Sequence, residues 1–569
     1  MLTQSYADLK THGRLTPEQI AFLPPPTAHP VLIAKKLLTL ATVIQHLRPD
    51  HQALLRFSET PKVTMWKMVG LAARLVTTND ELVGCAEGLE CLILECTFQG
   101  NSGNLRRALV VARRAMVIAQ LMGMHRARCL PVKQLDPNTR FNPHFVWYRL
   151  LFVDRHLCMM LGLPQGSHDM SMVNEEALAS DTPLGRLERM HCAIASRILD
   201  RNEMDSSLAD FAITQQIDLE LRNAANSLPS KLWLPPNISL LKDTDEAFFE
   251  TTRLITQLFH YNLLNQLHLP YMLRSSREKK YSYSKISCVN SSRETLSRFI
   301  TFRSFNQVAF CCRGVDFFAL VAAMTLILAH LDSHRNKDDN FLVHQRFSDR
   351  AMVEGVLENM ENLNKLNMDI LSHKCSEVLQ NLLDIETHVA EGRSYRPNGW
   401  AGSVTASDDG DNTLRISIPY FGTIKITQEG LIFKETGDLT TPLAIFPPSE
   451  PPQLPQSPST DADITAPVQQ YFERASLFSK APLDGVPYEA DNPDQLQHNF
   501  QVFSDEALRQ PPLYPGLTAN TDDWAFQGVD MAFFDNLMRG ADTGQCQCVS
   551  EGAGQGNPEW SIPQGEPNR

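Results

Sequence analysis

The stretch that decides the fold is residues 143–164, PHFVWYRLLFVDRHLCMMLGLP. Its apolar side chains recur three and four residues apart, which places them on one face of an α-helix. The run begins at Pro143, and the sequence Gly162-Leu163-Pro164 marks its end. The pattern predicts a long helix with a buried face. That face carries Phe145, Tyr148, Leu151, Phe152, Leu157 and Leu161.

The same helical spacing continues on both sides of this stretch. From Pro30 to about Glu391 the sequence predicts an all-α body of many helices, assigned to residues 30–395. The Arg/Lys/Ser-rich piece 274–290 is interpreted as a loop between two helices. Further helices are predicted at 106–122, 184–203, 209–227, 246–270, 307–332 and 342–390, the last of them broken near 364–367. Within 106–122, one apolar stripe is formed by Leu109, Ala112, Met116, Ala119 and Leu121.

The ends of the chain follow other patterns. Residues 1–29 are predicted to be an N-terminal extension. Within 396–440, apolar residues alternate with polar ones around Gly422, which predicts a short β-hairpin appended to the helices. Residues 441–520 are rich in proline and acidic residues, and such a composition predicts disorder. Residues 541–569 are likewise predicted to be disordered.

Charge is distributed unevenly along the chain. Residues 401–569 contain 24 acidic and 8 basic residues, whereas residues 1–400 contain 41 acidic and 44 basic ones. Neither part therefore has the strongly basic character of a nucleic-acid-binding surface. The longest apolar run, 317–331, is shorter than the roughly 18 residues that a membrane span needs, so no membrane contact is expected. The absence of a recognisable signal or transit pattern predicts a protein inside the cell.

No catalytic, cofactor-binding or metal-binding residue is predicted. The cysteines lack the paired short spacings of a zinc site, and most lie in apolar helical contexts typical of reduced, buried thiols. His330 and His334 share a helix face, but Leu331 stands where a metalloprotease carries its glutamate. Phosphate-binding glycine loops and nucleophile elbows are absent from the sequence. A class other than an enzyme is favoured.

The sequence contains two basic features. Arg106, Arg107, Arg113 and Arg114 share one face of a helix and could meet an acidic partner or phosphate, but such a face is usually solvated. The run 277–280, Arg-Glu-Lys-Lys, is compatible with a nuclear import patch of low specificity.

Residues 521–540 form an acidic-aromatic segment within the Pro-rich tail. Large apolar residues return there between aspartates, and a helix starting at Asp530 would place the later ones on one face. This arrangement predicts docking into a hydrophobic groove of a partner; a fold back onto the protein's own core is the alternative. The anchors of this predicted activation segment are Trp524, Phe526, Phe533, Phe534 and Leu537.

The stretch from Trp147 through Asp154-Arg155 to Gly162 and Pro164 resembles the signature of the fungal-specific transcription factor domain. The stretch 303–334, the hairpin and the acidic-aromatic segment resemble a subgroup that regulates fungal polyketide and related secondary-metabolite gene clusters. The resemblance covers roughly residues 20–540. It implies a nuclear transcriptional regulator with a helical regulatory domain, and it makes the five motif residues markers of the fold.

Members of this family read DNA through an N-terminal cluster of six cysteines that holds two zinc ions. Here the first cysteine is Cys85, within the helical region. We therefore expect DNA binding only if a zinc cluster precedes the sequence. The resemblance also implies transcriptional coactivators as partners of segment 521–540, and it is compatible with a homodimer or a heterodimer with a related regulator.

Two further classes stay open on the sequence alone. One is a helical interaction protein, deficient in DNA binding, that modulates a full-length relative. The other is a helical enzyme or small-molecule binder with a pocket between helices, which leaves no trace in a sequence. The acidic-aromatic segment favours the regulator with an activation tail, because a pure inhibitor does not need such a segment.

Overall fold

The computed structural model describes ten stretches of the helical region and four β-strands. The stretches are 3–13, 16–47, 59–128, 131–204, 208–235, 244–274, 278–305, 311–335, 342–367 and 370–392, and the strand residues are 413–418, 422–427, 432–436 and 439–442. The tail from residue 443 onward, including 521–540, lies outside the described residues. The predicted boundaries within it therefore stay predictions.

The described residues form fifteen α-helices followed by a small antiparallel sheet, as predicted for an all-α body with an appended hairpin. The helices are α1 Tyr6–His12, α2 Pro17–Ala21, α3 Pro30–His46, α4 Pro61–Ala72, α5 Ala86–Asn101, α6 Leu105–Leu121, α7 Pro143–Leu161, α8 Glu175–Ala179, α9 Pro183–Glu203, α10 Leu208–Asn226, α11 Thr244–Met272, α12 Ser282–Phe305, α13 Arg313–Arg335, α14 Arg346–Asn367 and α15 Ile370–Ala390.

Consecutive helices pack against one another and enclose one apolar core. Helix α5 packs on α3 and α6, α6 packs on α7, and α12 lies between α11 and α13. The decisive stretch forms α7, whose first turn is capped by the side chain of Asn142. Fifteen of its side chains are buried, among them Trp147 and Arg155, which are two of the largest fully buried residues. Helix α7 is thus surrounded on most of its circumference.

The prediction of a loop over 274–290 is wrong for most of that segment, because α12 begins at Ser282. The sequence of α12 lacks an apolar stripe because several of its buried side chains are polar. These side chains pair with groups on neighbouring helices. Lys285 Nζ lies 2.6 Å from Asp332 Oδ2 of α13. Ser292 Oγ accepts a hydrogen bond of 2.7 Å from Asn265 of α11. Buried polar groups of this kind are tolerated only when they are paired.

The predicted hairpin is present, and two strands follow it. Strands β1 Thr413–Ile418, β2 Gly422–Thr427, β3 Ile432–Thr436 and β4 Leu439–Pro442 pair in sequence order, each antiparallel to the next. Ile424 and Ile426 of β2 and Ile432 of β3 lie on one face, with Ile426 opposite Ile432. All three are buried and belong to the same core as the helices. The sheet therefore continues the apolar packing of the body.

Helix α13 is the one described helix whose length and composition would suit a membrane span. Of its apolar window, 94% is buried inside the protein. Such burial is typical of the core helix of a folded protein.

Candidate functional site

The five residues of the family motif lie along α7 and at its C-terminal end, where the chain turns back along the helix. Trp147 is buried, and its Nε1 donates a hydrogen bond of 2.5 Å to Asp169 Oδ2 in the returning loop. Gly162 adopts the left-handed conformation, with φ 65° and ψ 40°, and its N–H donates to the Cys158 carbonyl. A residue with a Cβ adopts this conformation less readily, which explains a glycine at the end of α7.

Asp154 fastens the returning loop to α6 and α7. Its carboxylate is fully buried and forms an ion pair with Arg113 Nε of α6. The same carboxylate accepts a hydrogen bond of 2.7 Å from the backbone N–H of Gly166. Arg113 Nη2 in turn donates to the Pro164 carbonyl at 2.6 Å. A Cβ at position 166 would stand 2.8 Å from Arg113 Nε, so the glycine makes room for this arginine.

Arg155 is fully buried and holds the next part of the same loop. Its guanidinium donates to the carbonyls of Asp169 at 2.6 Å and Ser167 at 3.2 Å. It also donates to the Cys192 carbonyl of α9 at 3.0 Å and to Gln165 Oε1 at 3.1 Å. All three guanidinium nitrogens of Arg155 therefore donate hydrogen bonds, in a planar arrangement that a lysine ammonium group cannot reproduce. The motif thus builds a structural frame, here called the α7 frame: Trp147, Asp154, Arg155, Gly162, Pro164 and Arg113.

The two histidines of α13 are bound to carboxylates on two other helices. His330 Nε2 lies 2.8 Å from Asp349 of α14, which also pairs with Arg293 of α12. His334 Nε2 lies 3.1 Å from Glu386 of α15. Burial alone would raise the pKa of Glu386, but hydrogen bonds from His334 and Arg346 outweigh it and lower that pKa to about 2. These contacts tie helices together, and the described residues contain no group of three ligating side chains placed to hold a metal.

The interpretation of the arginine face of α6 as merely solvated is wrong for three of its members. Arg113 belongs to the α7 frame, Arg114 lies 2.6 Å from Asp80, and Arg107 lies 3.6 Å from Glu95. Periodicity along α6 could not show this, because the carboxylates come from distant parts of the chain.

The outer side of α6 carries a feature that the sequence analysis missed. Leu121 was assigned to the buried stripe, yet it is 84% exposed, and Val110 and Val117 are 43% and 54% exposed. Together they form a second aliphatic stripe with spacings of seven and four residues, which a search for a second apolar face could have found. This stripe borders a cavity of about 650 Å³, here called the α6 groove. Leu163 and Pro164 of the returning loop line the same groove, so the α7 frame fixes one part of its wall.

Comparisons with known proteins place the chain in a family. No family model matches it, and no solved structure matches it. It is 42% identical over 585 residues to the dehydrocurvularin biosynthesis regulator of Alternaria cinerariae and 43% identical over 570 residues to that of Aspergillus terreus; each alignment covers 95% of this chain and 76% of the relative. It is 32% identical to the transcription factor sdnS of Sordaria araneosa, covering 94% of this chain and 72% of the relative. The chain belongs to this family of fungal transcriptional regulators.

The functional expectation from the sequence is thereby confirmed: the chain is a transcriptional regulator of fungal secondary metabolism. Its relatives are named as regulators and transcription factors. The regulator's predicted activation anchors Trp524, Phe526, Phe533, Phe534 and Leu537 lie outside the described residues. Their role as activation anchors therefore stays a prediction.

Proposed function

We propose that this regulator acts in the nucleus as an activator of a polyketide-type biosynthetic gene cluster, and that segment 521–540 recruits its coactivators. The observation that carries the proposal is the sequence of that segment. It concentrates Phe533, Phe534 and Leu537 within five residues, next to Asp530 and Asp535. The names of the relatives, two of which are biosynthesis regulators, support the target class.

Recruitment by this segment has a simple physical basis. A helix beginning at Asp530 places Phe533, Phe534 and Leu537 on one face, which suits a hydrophobic groove. The aspartates keep the segment soluble and attract a basic groove rim, which mainly accelerates encounter. Affinity then depends on the few apolar anchors, as in most small interfaces.

The proposal is tested by fusing residues 521–540 to an unrelated DNA-binding module and measuring a reporter. We expect activation, and we expect Phe533→Ala, Phe534→Ala and Leu537→Ala together to remove most of it, since each lost anchor removes roughly 1 to 2 kcal/mol and the three together weaken binding more than about a hundredfold. The matched control, Asp535→Asn, should change it far less. A silent parent fusion, or a triple variant as active as the parent, would refute the proposal.

We further propose that promoter recognition does not come from the helical body. Residues 1–400 are close to neutral, so they can neutralise few phosphates, and counterion release would drive little binding. Promoter recognition would come from a zinc cluster of the family type, or from a related regulator as partner. A gel-shift titration with this chain alone should show no sequence-selective, salt-sensitive complex with promoter DNA. Such a complex would contradict the proposal.

A further inference from the structure

The connection between α2 and α3 exposes large apolar side chains beside three consecutive prolines. Residues 22–26 have the sequence Phe-Leu-Pro-Pro-Pro and are here called the proline loop. Phe22 and Leu23 are 69% and 64% exposed, and Pro25 and Pro26 are exposed as well. Apolar residues that stand together on a protein surface in this way mark an interaction site.

The backbone enters the proline loop in the polyproline II conformation. Phe22 has φ −58° and ψ 124°, close to the ideal values of about −75° and 145°. Each proline ring fixes φ near −65°, and a residue that precedes a proline avoids the helical region, which constrains Leu23, Pro24 and Pro25. The extended run ends where the Ala28 N–H donates a hydrogen bond of 2.9 Å to the Pro25 carbonyl and closes a turn.

Both ends of the proline loop are held by helices. Helix α2 begins with a capping box in which Thr16 and Gln19 exchange hydrogen bonds. Lys36 Nζ of α3 donates hydrogen bonds of 3.2 Å and 2.6 Å to the carbonyls of Gln19 and Ile20 in α2. At the other end, α3 begins at Pro30 and packs on α5. A loop fixed at both ends gives up little further entropy when a partner binds it.

The chemistry of the proline loop restricts the kind of partner that fits it. Prolines lack an N–H group, so residues 24–26 cannot donate hydrogen bonds to the edge of a β-sheet. The carbonyls of Phe22, Leu23 and Pro24 accept no hydrogen bond from another residue that the structure describes, so they face a partner as acceptors. Residues 19–34 contain no Asp, Glu, Lys or Arg, which disfavours nucleic acid and anionic membranes as partners.

We propose that the proline loop is the docking site of a partner domain whose groove is lined by aromatic side chains. Tryptophan and tyrosine rings of such a groove stack on the prolines, and their N–H and O–H groups donate to the loop carbonyls. Phe22 fills an adjoining apolar pocket and is the main anchor of the contact. The contact does not involve segment 521–540, so it stands independently of the proposed activation.

Docking is tested by titrating the full chain with purified polyproline-binding domains of the WW, SH3 and EVH1 types, with binding followed by fluorescence anisotropy. We expect at least one of these domains to bind. Phe22→Ala should weaken that binding about tenfold or more, and Pro24→Ala with Pro25→Ala should weaken it as well, because the stacking surface is lost. The Phe22→Ala protein should unfold at the same temperature as the parent, since the Phe22 side chain is exposed.

Two matched controls separate the proline loop from other parts of the chain. Phe446 also precedes two prolines, in the Pro-rich tail, and Phe347 of α14 is 76% exposed with no proline beside it. Phe446→Ala and Phe347→Ala should bind the domain like the parent. Binding by none of the domains, or binding that Phe22→Ala leaves intact, overturns the inference. A dimer of the chain alone that Phe22→Ala dissociates in sedimentation also overturns it, because a second copy would then cover the loop.

Discussion

Two parts of one face of α6 differ in how their side chains are used. Arg113 meets a fully buried carboxylate of α7, and Arg155 nearby donates to carbonyls of the returning loop and of α9. On the same face, Val117 and Leu121 are exposed to solvent. The family motif belongs to the paired part, where its residues hold a loop in place. Residues that mark the family are thus part of the frame, and the exposed stripe is the part available for partners.

The largest effect is expected from Arg155→Met. This change keeps the length of the side chain but leaves the carbonyls of Ser167, Asp169 and Cys192 without their donor inside the protein. We expect a loss of about 3 kcal/mol or more in the free energy of unfolding, measured by urea titration. The exposed Arg140→Met is the control and should change it by less than about 0.5 kcal/mol. Similar losses in both variants would remove the distinction between frame and surface.

A smaller effect is expected for the ion pair between Arg113 and Asp154. A double-mutant cycle with Arg113→Gln and Asp154→Asn should give a coupling energy of about 2 kcal/mol, because Asp154 is fully buried. The exposed pair Lys67 and Glu59, whose Nζ and Oε1 atoms lie 2.6 Å apart, should couple by about 0.5 kcal/mol. If the exposed pair couples as strongly as the buried one, burial does not set the strength of the frame.

Acid should weaken the helical body through buried histidines of α7, α9 and α11. Burial lowers the pKa of His156 and of His260 to about 4 each, and it also lowers the pKa of His191. In the unfolded chain a histidine has a pKa of about 6.5. As the pH falls from about 6.5 to about 4, the unfolded state therefore binds protons first, and stability is lost across that window.

Urea titrations at pH 7.5 and pH 5.5 measure this loss. Each of these histidines should contribute on the order of 1 kcal/mol to the difference. His156→Phe should reduce the difference by that amount, because its neighbours Phe152 and Phe259 suit an apolar ring. The control Leu219→Phe, at an exposed position without a titratable group, should leave the difference unchanged. An equal reduction in both variants would show that burial of His156 is not the cause.

The smallest effect on stability is expected from the groove stripe. Val117→Glu with Leu121→Glu should alter the free energy of unfolding by less than about 0.5 kcal/mol, since surface substitutions rarely do more. The buried neighbour Ala112→Glu, on the same helix, is the contrasting variant and should cost several kcal/mol or prevent folding. Destabilisation of the stripe variant to a similar degree would mean that the stripe belongs to the core.

The sequence correctly predicted the helix ends that depend on residues close together in the chain. The ends of α7 at Pro143 and Leu161 follow from a capping residue and a left-handed glycine. Helix α14 ends at Asn367 and α15 begins at Ile370, close to the break predicted at 364–367. Helix α12 was missed because Lys285 and Ser292 are buried through partners on other helices. Leu121 was misplaced because α6 carries two apolar faces, and only tertiary packing decides which one is covered. Strands β3 and β4 were missed because they are short.

The contrast between frame and groove is tested most directly by measuring two properties, thermal unfolding and reporter activity, in the parent protein and two variants. The full chain, fused to an unrelated DNA-binding module, is compared with its Arg155→Met variant and its Val117→Glu, Leu121→Glu variant for thermal unfolding and reporter activity. We predict that the frame variant unfolds at lower temperature and loses activity as its folded fraction falls, whereas the groove variant unfolds like the parent. A frame variant that stays fully folded yet inactive, or a groove variant that unfolds early, would contradict the account.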